Sequence, residues 1–147
     1  MSRIFRTTFF ILMFVTTLFA QEKTVIKSPD APAAIGPYSQ AIMVGNTLYC
    51  SGQIAIDPAT SKMLSESIQT ETRQVLKNLG AVLRAAGMDY SNVVQATVYL
   101  ADMNDYKVMN EIYGEFFKEN PPARATVQVG SLPRDARVEI ACIAVKK

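Results

Sequence analysis

The chain of 147 residues contains no histidine and no tryptophan, and only two cysteines. Without an imidazole, Ser-His-Asp and Cys-His catalysis, His-ligated zinc and the HExxH metalloproteases are all excluded. Two thiols cannot build a four-thiolate zinc site within one chain. The glycines stand singly, at Gly36, Gly45, Gly52, Gly80, Gly87, Gly114 and Gly130, so there is no Gly-rich phosphate loop. Any chemistry rests on carboxylate, guanidinium, phenol, hydroxyl and backbone groups, and the reading includes no metal and no cofactor. Cys50 and Cys142 both fall in apolar strand patterns. They are either a disulfide of an oxidising compartment or small buried thiols, and spacing alone does not choose.

The excess of positive charge is also small, and its location removes it. The chain holds 15 Lys plus Arg against 13 Asp plus Glu. Arg3 and Arg6 lie in an N-terminal segment that runs through the apolar stretch Phe9 to Phe19 and ends at Ala20, before Gln21-Glu22-Lys23. A basic start, a short apolar run and a small residue at the break describe a secretory signal peptide over residues 1–20. The uncharged run from Thr7 to Gln21 is short for a bilayer span of about 20 residues. Cleavage would leave 13 charges of each sign in residues 21–147. An exported protein, periplasmic or secreted, is expected, with no membrane contact after cleavage. A neutral mature chain gives no electrostatic case for nucleic acid.

Residues 21–147 read as a single domain. Thr24 to Lys27 is β-prone and leads into a Pro/Ala-rich loop. A hairpin follows, its strands Ser39–Val44 and Thr47–Gln53 flanking Gly45-Asn46. After a loop over 54–66, Ser67 caps a helix that runs to Ala86 and stops at Gly87. Ile68, Thr72, Val75, Leu79, Val82 and Ala86 form its inward stripe. Val93 to Leu100 is an inner strand. Asp105 to Lys118 is a second amphipathic helix with Met109, Ile112, Tyr113, Phe116 and Phe117 inward, ended by Pro121-Pro122. Two strands close the chain. Helices alternating with strands require crossovers, which predicts a partly parallel sheet with both helices on one face. The other face then needs cover, and a partner subunit would supply it.

Two charges stand inside the last two strands. Around Glu139 both alternating faces are apolar, Val138, Ile140 and Cys142 on one and Ala141, Ile143 and Val145 on the other. A carboxylate there is costly unless it is paired, hydrogen-bonded or facing a pocket. It is either an ion-pair partner of Arg124 or Arg137, or a functional acid. Arg124 alternates with Thr126 and Gln128, as an ordinary half-exposed strand face would, or as a guanidinium offered to a carboxylate. A hairpin of the last two strands centred near Leu132-Pro133 would bring Arg124 and Glu139 close, on one face or two according to register. Tyr38, after Ile35-Gly36-Pro37, is a rim aromatic or a pocket phenol. Gly52, in Ser51-Gly52-Gln53, marks a bulge or a close approach. Asn110 lies on the second helix.

Taken together, these segments resemble the RidA/YjgF family of reactive-intermediate deaminases. The matching stretches are Ala-Pro-Ala-Ala-Ile-Gly-Pro-Tyr-Ser-Gln (31–40), Ser-Gly-Gln-Ile (51–54), Asp-Met-Asn-Asp-Tyr (102–106) and Pro-Ala-Arg through Val-Glu-Ile (122–140). The resemblance implies a chorismate-mutase-like α/β (α+β) fold, a mixed sheet with two helices on one face, and a homotrimer with interfacial pockets. It implies hydrolysis of small 2-imino acids or their enamine tautomers, such as 2-iminopropanoate and 2-iminobutanoate, to 2-oxo acids and ammonia. Arg124 then resembles the carboxylate-binding arginine and Glu139 the acid that handles water. Tyr38, Ser51, Gly52 and Asn110 match other pocket positions, and Thr126 falls where many members have cysteine. The leader departs from the family, most of whose members are cytosolic or organellar. A secreted trimeric carboxylate binder or scaffold without turnover is the competing expectation.

Overall fold

The computed structural model describes residues 22–147; the leader read over residues 1–20 lies outside them. The order of elements follows the sequence pattern. Strands β1 (Lys23–Ile26), β2 (Ala41–Val44) and β3 (Thr47–Gln53) precede helix α1 (Ile68–Ala85). Strand β4 (Val93–Leu100), helix α2 (Tyr106–Phe116), and strands β5 (Ala123–Gln128) and β6 (Val138–Val145) follow. This is a mixed α+β fold built on one six-stranded sheet in the order β1-β2-β3-β6-β4-β5.

The helices form where local signals place them. The Ser67 hydroxyl accepts from the Thr70 N–H at 3.1 Å, satisfying one of the open donors of the first turn of α1. Gly87, at φ 69°, takes the left-handed step that ends the helix. On the inward face Val75, Leu76, Leu79, Val82 and Leu83 are fully buried. Each such side chain is worth roughly 1.5–3 kcal/mol, far above helix propensity differences of about 0.7 kcal/mol or less. Packing, rather than propensity, therefore holds α1 to the sheet. Helix α2 begins one residue later than the pattern predicts, because Met103–Asp105 form a 3-10 turn before it. Its Met109, Ile112, Tyr113 and Phe117 are buried, while Phe116 packs partly exposed on the same core.

The last two strands, whose pairing as a hairpin would have brought Arg124 and Glu139 close, do not pair with each other. Strand β5 runs parallel to β4, to which α2 connects it by a crossover, and takes the sheet edge. Strand β6 inserts antiparallel between β3 and β4. The reason lies in the two patterns. A strand apolar on both faces gains most at the centre of a sheet, whereas the polar alternation of Arg124, Thr126 and Gln128 tolerates an edge.

Both helices cover one face of the sheet, and the core lies between. Among the described residues the opposite face is bare: Tyr49 on β3 is 50% exposed and Val127 on β5 is 43% exposed.

Candidate active site

Residue alternation sets the direction of each charge. In β6, Val138, Ile140, Cys142 and Ala144 turn into the core beneath the helices, so Glu139 turns to the bare face. It pairs in register with Tyr99 of β4. In β5, Arg124 is the register partner of core-facing Ala96 and lies against α2, so it is on the helix side. Arg124 and Glu139 of one chain are thus on opposite faces of the sheet. With strands about 4.8 Å apart, β5 is roughly 10 Å from β6 and roughly 14 Å from β3.

Around Arg124 the chain builds a cradle. Its Nη2 donates to Asn110 Oδ1 at 2.6 Å and to the Tyr106 hydroxyl at 3.3 Å. The guanidinium carbon lies 4.5 Å from the centre of the Tyr113 ring, a cation–π contact. Burial pushes the Tyr113 phenol up to about 12, a shift that the nearby guanidinium partly offsets. The Tyr113 hydroxyl and the Thr126 hydroxyl, on the same side of β5 as Arg124, are buried with no hydrogen-bond partner among the described residues. Arg124 is thereby held in one orientation with donors unused. Asn110, a polar residue of α2 that the resemblance gives as a pocket position, is its main hydrogen-bonding support.

Glu139 sits at the other half of the site. It makes no hydrogen bond or ion pair among the described residues, and desolvation by burial raises its pKa above the usual carboxylate value. Arg137, one of its two expected partners, is held elsewhere. The Arg137 Nε and Nη2 donate to Asp105 at 2.9 and 2.6 Å, and its backbone N–H donates to the buried Glu71 carboxylate at 2.8 Å. Burial raises the Glu71 pKa, against the pull of that N–H and of the Arg137 charge. These contacts anchor the start of β6 and leave Glu139 unpaired beyond it.

A cavity of about 530 Å³ opens beside Glu139. Tyr38, Ser51 and Gly52 line it with Glu139, as four of the expected site residues. Gly52 reconciles its two sequence readings. The β3–β6 register shifts between Cys50 and Gln53, a bulge, and a Cβ at 52 would overlap the Glu139 carboxyl group. Ser51 Oγ donates to the Ser39 carbonyl at 2.7 Å, and the Tyr38 hydroxyl accepts from the Ile35 N–H at 3.2 Å. Apolar Ile35, Ile54 and Ile56 form the walls.

Two contributors escape the sequence reading. Gln40, buried at the head of β2, donates to the carbonyls of Ser28 (3.1 Å) and Pro32 (2.8 Å) and accepts from the Ser28 N–H at 2.7 Å. It pins the Pro/Ala-rich loop that carries Tyr38. A polar residue opening an apolar strand was the available signal. Arg134 lines the cavity mouth from a left-handed turn (φ 58°) and donates to the Ser61 carbonyl at 3.2 Å. Arg124, Asn110 and Thr126 do not line this cavity.

The architecture has known counterparts. A family model described as Endoribonuclease L-PSP matches residues 28–146. The chain belongs to this family, the RidA/YjgF proteins. A human protein named 2-iminobutanoate/2-iminopropanoate deaminase is 50% identical over 124 residues, covering 84% of this chain and 90% of that one. The crystal structure of RidA from an Antarctic Psychrobacter superposes with a TM-score of 0.81 at 42% identity, covering 84% of this chain and 99% of its own. Escherichia coli TdcF with bound serine superposes with a TM-score of 0.81 at 37% identity, over 84% and 99% of the two chains.

Proposed function

We propose that this protein is a hydrolytic deaminase that converts reactive 2-imino acids to 2-oxo acids and ammonia. The observation that carries the reading is Glu139: an unpaired, half-buried carboxylate with a raised pKa, facing a cavity large enough for a small substrate. The name of the human relative, which matches over most of both chains, supports the same activity.

The residues can carry the reaction without a covalent nucleophile. A protonated 2-imino acid is already electrophilic at the imine carbon. Glu139 as carboxylate takes one proton from water as the oxygen adds to that carbon, giving a carbinolamine. The proton then passes from Glu139 to the nitrogen; as the C–N bond breaks and ammonia leaves, Glu139 takes the hydroxyl proton, the carbon–oxygen double bond forms, and that proton goes on to the departing ammonia. Arg124 binds the substrate carboxylate through two parallel hydrogen bonds and fixes the reacting carbon. Tyr38 and Ser51 line the cavity, the bulge at Gly52 gives the acid its room, and Asn110 steadies the arginine.

Because Arg124 and Glu139 of one chain face opposite sides of the sheet, one copy does not complete this site. We infer that Arg124, with Asn110 and Thr126, serves the Glu139 cavity of a neighbouring copy in a homotrimer. The bare apolar face around Tyr49 and Val127 supports association there. From the sequence pattern of residues 1–20 we infer an exported protein whose mature chain, residues 21–147, is one domain. The family description names an endoribonuclease. With 13 charges of each sign in residues 21–147, the chain has no net charge to recruit a phosphate backbone.

The test generates 2-iminopropanoate or 2-iminobutanoate with an amino-acid oxidase in the presence of semicarbazide. Loss of semicarbazone in proportion to the protein, absent in Arg124→Ala, is expected. Binding of 2-oxo acids with no effect on either imine would overturn the deaminase and favour a carboxylate binder without turnover.

A further inference from the structure

The only two cysteines of the chain are set face to face by the fold. Cys50 on β3 and Cys142 on β6 are direct partners in the antiparallel register, and both belong to the buried core under the helices. Directly opposed residues of an antiparallel ladder have Cα atoms about 4.5–5.5 Å apart, inside the roughly 4.4–6.8 Å window of a disulfide. Their side chains also share one face, so no strand needs to rotate for the sulfurs to meet. The neighbouring Cys50 thiol and burial together raise the pKa of Cys142 far above the usual thiol range. Both thiols are free in this structure.

We propose that Cys50 and Cys142 form a disulfide that staples β3 to β6 when the chain folds in the presence of a disulfide oxidant. Two S–H bonds break and one S–S bond forms; two electrons and two protons pass to the disulfide of the oxidant, which leaves as two thiols. The leader read over residues 1–20 would bring the chain to a compartment where such oxidants prevail. Closure belongs to folding. Once the core has formed, burial suppresses the thiolate, so the reduced pair reacts slowly and the oxidised pair is shielded from exchange. The bridge would enclose both helices in its loop, and long loops remove the most freedom from the unfolded chain. It would also fasten the bulge carrying Ser51 and Gly52 to the strand carrying Glu139. The staple stands independently of the deaminase reading.

The test refolds the reduced, denatured protein in a glutathione redox buffer. An intact mass about 2 Da lower than that of the reduced chain is expected, with no maleimide labelling under denaturing conditions. The oxidised protein should melt several degrees above the reduced one, and the gap should vanish in Cys50→Ala/Cys142→Ala. The mass and labelling of chain exported through its own leader give a second readout that needs no refolding. Two labelled thiols, or glutathione left on either cysteine, in either preparation would overturn the bridge. Equal melting temperatures for oxidised and reduced protein would overturn its stapling role.

Discussion

Gly52 and Glu139 share one space: a methyl group at position 52 would overlap the carboxyl group at position 139, and even Glu139 Cγ would lie only 2.9 Å from it. The absence of a side chain on β3 is what lets the acid on β6 lie against the sheet at the cavity. Gly52→Ala is therefore expected to displace the carboxylate without breaking the fold. A displacement of about 1 Å at a reacting group costs on the order of 100-fold in kcat/KM. Kinetics set against thermal melting check this; a loss of stability with unchanged kcat/KM would make Gly52 a packing residue only.

The raised pKa of Glu139 has a defined sign for stability. Its folded value lies above the reference of 4.5, because burial disfavours the charged form. The folded state therefore holds its proton more tightly than the unfolded state does. The stabilisation is complete below about pH 4.5 and is lost as pH rises through the folded value. Glu139→Gln should melt higher than the parent at pH 7 and lose this part of the pH slope, while the Glu71 part remains. Turnover should fall by roughly 10²–10⁴-fold, as for loss of a general acid–base group. Melting curves from pH 4 to 8 beside initial rates would show both effects; a variant with unchanged turnover would remove Glu139 from the chemistry.

Two inactive variants should repair each other. Arg124→Ala keeps a sound Glu139, and Glu139→Gln keeps a sound Arg124. If each site takes its arginine from one copy and its acid from another, random mixing restores about a quarter of the sites. Co-refolding the two variants and measuring imine hydrolysis tests the arrangement. Activity no greater than that of the separate variants would place the whole site within one chain.

Gly80, in the middle of α1, is expected to resist improvement. Alanine gains about 1 kcal/mol in helix propensity at an ordinary site. Here an added Cβ would strike the Tyr90 hydroxyl, which donates to the Leu76 carbonyl at 2.6 Å, on a ring packed edge-on against Phe116 and Phe117. Overpacking of this kind costs about 1–3 kcal/mol. Gly80→Ala should lower the urea midpoint, and adding Tyr90→Phe, which deletes the obstructing hydroxyl, should recover part of the loss.

What the sequence disclosed divides by the range of the interactions. The Ser67 cap, the stop at Gly87, the Gly45-Asn46 hairpin and the stripes of both helices follow from neighbours in the chain, and all appear where the pattern places them. Strand order does not. The doubly apolar pattern of β6 asked for cover on both faces, yet only the assembled sheet separates it from β5 and turns Arg124 and Glu139 to opposite faces. Charge pairing was equally hidden. Arg137 goes to Asp105, far off in the chain, and this frees Glu139 from one of its expected partners. Family resemblance drew together Tyr38, Ser51, Gly52 and Glu139, which the fold collects around one cavity. It could not reveal that Gln40 pins the loop between them.

The position of Arg124 on an edge strand, facing away from its own chain's acid, has a consequence for regulation. Under the proposed arrangement the chemistry belongs to the contact between copies, and dilution would extinguish it before any chain unfolds. Specific activity would then rise with protein concentration along the assembly curve, so the local abundance of the protein would itself set its rate.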